Sequence, residues 1–499
     1  MRSGRTDAAV VGMLAFVLGV VGAGRPSLWV DEAATLSAAT RPVGRLWALV
    51  QNVDLVHGVY YLLMHGWFAV FPVTEFWARL PSAVLVGIAA AGVVVLCRGL
   101  TNPSVGPAAG VVFAVLPRTT AAGIDARPYA LTMAAAVWVT VLFVVAVRRP
   151  GRRLWVAYSV AIALAAVANV VVLLVVTAHA VLLVVQNPPR RVVVAWAAAT
   201  AAAVVAISAF LVAISQQQGQ IDWIWPVSAV TLGQIVGEQY FPSVYSDSLR
   251  AVGPDQQQIS AEQLAVAMQA WARVSPVIVV LFVLAVGAVW RRRRGATTPD
   301  GARSLIGLAV AWIVVPTVLL VAYSMVARPV YQPQYLAFTT PALAMLAGLC
   351  VVVVGRSRRE IAAILLVVAL AAAPNYLAQR GDYAKYGSDY SQVAELLAFK
   401  AAPGDCLSVQ ATAPSVAWSV EGARLEYDDG LRDVSLDRPA VESADLFGSR
   451  ASAAAQADRL RECSVLWTVT DAEVSTPGFR PVGEWSFNQT RVVRSERDR

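Results

Sequence analysis

The feature that most constrains this chain is repetition of apolar runs. Stretches of roughly 20 apolar residues recur over the first three quarters of the sequence, each long enough to cross a bilayer core of about 30 Å. Between them lie short loops with basic clusters: Arg148, Arg149, Arg152 and Arg153; Arg190 and Arg191; Arg291 to Arg294; Arg356, Arg358 and Arg359. Hydrophobic residues make up 58% of the chain and charged residues 14%, against about 25% charged in a soluble protein. The reading is a polytopic α-helical membrane protein. The run at 8–24 is taken as an uncleaved first helix, because no small-residue cleavage site stands out after it. The net charge of +8 is spread over loops that orient the chain, which argues against a nucleic-acid partner.

Basic loops belong on the cytoplasmic side. Spans at 8–24, 79–97, 105–119, 128–147, 154–168, 170–186, 192–213, 273–290, 303–323, 335–354 and 361–378 place every cluster there, with the N-terminus inside and the C-terminus outside. This is about eleven spans, provided that 58–71 lies at the outer interface rather than crossing. The outer segments are then a first loop at 25–77, a short one at 117–127 and a long one at 214–272. The last holds Trp223, Trp225, Tyr240 and Tyr245, and two glutamine runs, Gln216–Gln218 and Gln256–Gln258, that give it a mobile character. The chain divides into a transmembrane domain at 1–378 and a small extracytoplasmic α/β domain at 379–499. In the latter a helix is expected near 391–400 and strands near 407–409, 464–469 and 490–493. Cys406 and Cys463 each open an expected strand in an oxidising space, so they can pair as a disulfide; two buried thiols are the alternative. Cys97 and Cys350 read as packing residues.

Chemistry-bearing residues gather at the outer ends of the spans. Trp29-Val30-Asp31-Glu32-Ala33 sets two adjacent carboxylates just beyond the first helix. A carboxylate there can take the proton of an acceptor hydroxyl; the same pair can instead complement the N-terminus of a short helix. Asp54, His57, Tyr60 and Tyr61 close the first loop, either as a polar site or as an interfacial aromatic belt. His65 reads as structural. Arg79, in Arg79-Leu80-Pro81-Ser82, either snorkels or faces a lipid phosphate. Asp125, Arg127 and Tyr129 form a second outer site, in which Arg127 offers a forked donor for phosphate or is neutralised by Asp125. Arg328, Gln332 and Tyr335 stand before the tenth span, with Arg328 a second phosphate candidate.

In this order and spacing, these elements resemble the GT-C superfamily of integral membrane glycosyltransferases. Its members include protein O-mannosyltransferases, lipid A aminoarabinose transferases and many actinobacterial mannosyl- and arabinosyltransferases, and the Ala/Val/Arg-rich composition resembles the actinobacterial ones. The resemblance covers about residues 1–350. It implies inverting transfer of a sugar, mannose first and arabinofuranose second, from a polyprenyl-phosphate donor to an envelope glycan, glycolipid or protein. By the same resemblance Asp31 takes the acceptor proton, Glu32 orients the acceptor or the base, and Arg127 lies near the donor phosphate. Gly58-Val59 stand where relatives often have prolines, and Gln334-Tyr335 where they often have Arg-Tyr, which moves weight to Arg328. A divalent metal is compatible with two adjacent acids but not required, and no His/Cys ligand cluster is visible. A transporter or flippase would carry charges at the midplane and often an inverted repeat, whereas these apolar runs are nearly free of acids; a non-catalytic envelope-assembly scaffold that binds glycan through its outer tail is a third reading.

Overall fold

The computed structural model describes residues 2–242, 261–412, 414–427 and 430–498. Tyr245 and Gln256–Gln258 lie outside the described residues. The chain forms two compact units that do not follow sequence order: residues 1–23 with 79–378, and residues 24–78 with 379–499.

The first unit is helical. Each span expected from the sequence overlaps helical backbone, although 21–24 is turn and Leu116 interrupts 105–119. Among the described residues six helices are long and apolar enough to cross a membrane: Glu75–Leu100, Tyr129–Arg148, Met268–Arg293, Ala302–Val326, Pro333–Val354 and Arg358–Ala378. A seventh arises if Arg190–Ala206 and Ser208–Gln216, bent by 50°, are taken as one span. Val105–Val115 and Val170–Gln186 are apolar but shorter. Val105–Val115 stops because Leu116 turns to extended ψ before Pro117, as the residue preceding a proline is disfavoured in the helical region. The helix Ala261–Arg293 begins well before 273: its first turns are polar enough to read as loop, yet consist of strong helix formers.

Small residues bring these helices together, as bilayer packing demands. A Cβ on Gly348 would sit 2.4 Å from the Ala109 backbone, so Thr340–Val354 and Val105–Val115 touch backbone to backbone. Gly12 and Gly87 make a similar approach. His179, fully buried, is satisfied by Thr140 Oγ1 at 3.0 Å and the Tyr158 hydroxyl at 2.9 Å, and stacks on Phe143. It is a core histidine.

The second unit joins the first loop to the tail. Seven strands are described: β1 (Cys406–Gln410), β2 (Arg432–Asp433), β3 (Leu436–Arg438), β4 (Ser449–Arg450), β5 (Val465–Thr470), β6 (Phe479–Ser486) and β7 (Arg491–Arg497). Five form a mixed sheet in the order β2-β1-β5-β7-β6, with β1 parallel to β2 and β5, and β7 antiparallel to β5 and β6. Cys406 and Cys463 are bonded, their Cα atoms 5.8 Å apart. The bond ties the start of β1 to the residues before β5.

The loop supplies three helices, Val30–Ala39, Val43–Asn52 and Gly58–Phe68. The last is 11 residues long, about 16 Å, roughly half of a bilayer crossing. Val43, Trp47, Leu62 and Leu63 on these helices are exposed. The helix Pro414–Arg424 of the tail packs on Val30–Ala39. Gly422 permits the contact, since a Cβ there would meet the Ala33 Cβ at 2.6 Å and its Cα at 3.0 Å.

Candidate active site

In the second unit the acid pair sits in the first turn of Val30–Ala39, one residue after its start. Trp29 is the N-cap residue and provides no side-chain cap, so the helix dipole faces the two carboxylates. Asp31 is half-buried and Glu32 fully buried. Lys385 Nζ lies 3.8 Å from Glu32 Oε1 and is itself 12% exposed. The backbone leading to Asp31 is tied to the tail. Ser27 N–H donates to the Asp382 carbonyl at 2.8 Å, Leu28 N–H to Ser391 Oγ at 2.9 Å, and Ser391 N–H to Ser27 Oγ at 3.0 Å. Trp29 and Tyr386 meet with ring centroids 4.5 Å apart.

The far end of the same helix is locked by Arg41, which is 1% exposed. Its guanidinium donates to the Ser37 carbonyl at 2.8 Å, Ser37 Oγ at 3.1 Å, the Ser443 carbonyl at 3.1 Å and the Asp445 carbonyl at 2.5 Å. Ser37 Oγ donates to the Leu446 carbonyl, and Asn52 Nδ2 to that of Ala444 at 2.8 Å. Burial lowers the pKa of Arg41, and the negative charges of Glu421 and Asp445 oppose that. A cation close to a helix C-terminus also complements its dipole.

Asp54, His57 and Tyr61 form one buried cluster. The Asp54 carboxylate accepts from His57 Nδ1 at 2.6 Å and from the Tyr61 hydroxyl. Asp54 has a φ of +60°, which Asp tolerates better than most residues. The cluster fixes the start of Gly58–Phe68 and holds the imidazole in one orientation. Tyr60 is buried beside it. His65 Nδ1 meets the Ala39 carbonyl at 2.9 Å, a structural contact.

The first unit holds the arginine candidates. Arg79 is fully buried and donates to the Ala23 carbonyl at 2.7 Å. Ser82 Oγ donates to the Asp125 carbonyl at 2.6 Å, which joins the Arg79 helix to the short loop. Asp125, Arg127 and Tyr129 are all buried there. Arg328 differs: its side chain is 25% exposed and ion-paired with Asp222. Gln332 is buried, and its Oε1 has no hydrogen-bond partner. Tyr335 is half-buried.

Two groups carry weight that no local motif announces. One is Lys385. Its segment is charged and aromatic and directly follows the last apolar run, which is a faint sequence signal. The other is a buried network around Gln239. Gln239 Nε2 donates to the Tyr240 hydroxyl at 2.8 Å and to Thr317 Oγ1 at 3.1 Å, and the Tyr331 hydroxyl donates to Gln239 Oε1 at 3.3 Å. Arg118 Nε donates to the Gln239 carbonyl at 2.9 Å. Among the described residues no three His, Cys, Asp or Glu side chains converge as a metal site.

No protein-family model matches the chain, and no curated protein matches it in sequence. Solved structures do. The ArnT of Cupriavidus metallidurans, crystallised with undecaprenyl phosphate, is 13% identical; the match covers 97% of each chain with a TM-score of 0.54. The archaeal oligosaccharyltransferase AglB of Archaeoglobus fulgidus, in complex with an inhibitory peptide and a dolichol-phosphate, is 12% identical, over 94% of this chain and 69% of its own, with a TM-score of 0.48. The first match runs nearly end to end, loop and tail included, and shows that this chain shares the fold of that protein.

Proposed function

We propose that the chain is an inverting glycosyltransferase of the cell membrane. It moves a sugar, mannose before arabinofuranose, from a polyprenyl-phosphate donor to a glycan, glycolipid or protein acceptor of the envelope. The N-terminus is cytoplasmic, and the loop 25–77 and tail 379–499 are extracytoplasmic. The observation that carries the reading is the acid pair at a helix N-terminus, with Glu32 buried against Lys385, in a fold similar to that of a protein crystallised with undecaprenyl phosphate.

Asp31, the more accessible acid, removes the proton from the acceptor hydroxyl as its oxygen attacks the anomeric carbon. The bond from that carbon to the phosphate oxygen breaks, and its electron pair leaves with the lipid phosphate. Backside attack inverts the anomeric centre. Charge gathers on the phosphate oxygens, where a buried guanidinium acts most strongly; Arg127 is buried and suits this, and Arg328 would first exchange Asp222 for phosphate. Asp54, His57, Tyr60 and Tyr61 shape the acceptor side. Arg79, Asp125, Tyr129, Gln332 and Tyr335 are assigned to the donor.

The test is turnover by purified protein in liposomes, with polyprenyl-phosphate mannose or arabinofuranose and an envelope-lipid fraction. The expected result is one equivalent of polyprenyl phosphate per glycoside formed, with the anomeric configuration inverted. Solute movement across the liposome with the sugar–phosphate bond intact would instead favour a transporter.

A further inference from the structure

We propose that Lys385 is a positioning residue of the acid pair: its ammonium keeps the buried Glu32 ionised, and the tail thereby sets the charge state of the site on the first loop. The proposal rests on the catalytic reading of Asp31 and Glu32. A carboxylate with no exposed surface loses the hydration that supports its charge, and takes up a proton unless a cation or hydrogen bonds replace it. Lys385 Nζ is a cation 3.8 Å from Glu32 Oε1.

The backbone around Lys385 is built to hold it there. Tyr386 and Gly387 follow with φ of +56° and +77°. Gly387 adopts that conformation freely, whereas Tyr386 holds it only where its surroundings enforce it. Gln489 Nε2 donates to the Tyr386 carbonyl at 2.8 Å, and Asn488 Nδ2 to that of Gly387 at 2.7 Å. Asp389 accepts from the N–H groups of Gln489 and Thr490 at 2.6 and 2.9 Å. The turn before β7 thus grips the turn that presents Lys385. On the other side, Asp382 and Ser391 bind the backbone of Ser27 and Leu28.

Other titratable groups lie on elements packed against Val30–Ala39. Asp31 shares the helix; Glu421 and Arg424 lie on Pro414–Arg424; Glu442 lies on the turn Ala440–Glu442. Tyr60, Tyr61 and His65 lie on Gly58–Phe68, and Arg45 on Val43–Asn52. All are common to wild type and variant, and the Glu32→Gln background assigns to the Lys385–Glu32 pair its own part of the difference between them.

The experiment compares wild type with Lys385→Met, Lys385→Arg and the double variant Glu32→Gln/Lys385→Met. It reads the pH profile of transfer from the polyprenyl-phosphate sugar and the thermal midpoint between pH 5 and 8. The acidic limb of the Lys385→Met profile is expected to move up by about one to three pH units, as loss of an adjacent opposite charge requires. Lys385→Arg is expected to keep the wild-type limb. Without Lys385, folded Glu32 binds its proton more tightly than it does beside the ammonium. Stability of Lys385→Met should therefore fall, relative to wild type, as pH rises, and the double variant should abolish that slope. An unmoved limb together with equal slopes overturns the proposal. So does a Lys385→Met chain that fails to fold and is not rescued by the Glu32→Gln change. The thermal readout needs no turnover: a changed slope without any transfer by wild type would sink the glycosyltransferase reading and leave the pair standing.

Discussion

At the residue scale, the acids that matter are set apart by what lies beside them. Asp31 and Glu32 are legible in sequence because adjacent charges after an apolar run are expensive and therefore conspicuous. Their partner is not legible, because Lys385 lies at the opposite end of the chain and only folding brings it near. A second acidic contact shows the same limit. The Glu426 carboxyl is pushed up to about 7, first by burial, then by the charge of Glu75 and a hydrogen bond with it, then by Glu395. A carboxyl raised above its unfolded value contributes stability that is present at low pH and lost as pH rises through about 7. The thermal midpoint should thus decline from pH 5 to 8, and Glu426→Gln should make that decline shallower. Equal slopes in the two proteins would show that the carboxyl pair does not couple to folding.

At the scale of elements, hydrophobic periodicity locates the helices well and their ends less well. The expected spans overlap helix, but Val105–Val115 is cut short at a proline and Ala261–Arg293 starts early. Those ends depend on local backbone sterics and on helix propensity, not on apolar content. In the tail, the expected strands near 407–409, 464–469 and 490–493 lie within or beside β1, β5 and β7, since alternation and β-branched residues mark them. The contact between Pro414–Arg424 and the acid-bearing helix left no such pattern; it depends on one glycine. Gly422→Ala would force its Cβ to 2.6 Å from Ala33 Cβ, and overpacking of this kind costs about 1–3 kcal/mol. Differential scanning fluorimetry should record a lower midpoint. Transfer should fall with it, because Asp31 rides on the displaced helix. An unchanged midpoint would mean that the helices separate without cost.

At the scale of the whole molecule, the sequence reads as a membrane part followed by a soluble tail, while the contacts group the first loop with that tail. The links are long in sequence and short in space: Ser27 with Ser391, Arg41 with Ser443, Asn52 with Ala444. Each is a hydrogen bond to backbone or hydroxyl, a kind of contact that no periodicity encodes. The acid pair is therefore carried by a unit made from two ends of the chain, and a local defect in the tail is expected to disturb the proposed base. The most direct measurement is turnover of a polyprenyl-phosphate sugar by wild type and Asp31→Asn, each purified, reconstituted and matched for thermal midpoint. Removing a general base is expected to lower kcat by about 10²- to 10⁴-fold, with the fold and donor binding retained. Near-wild-type transfer by Asp31→Asn would contradict the assignment of the base, and with it the chemistry proposed for this surface.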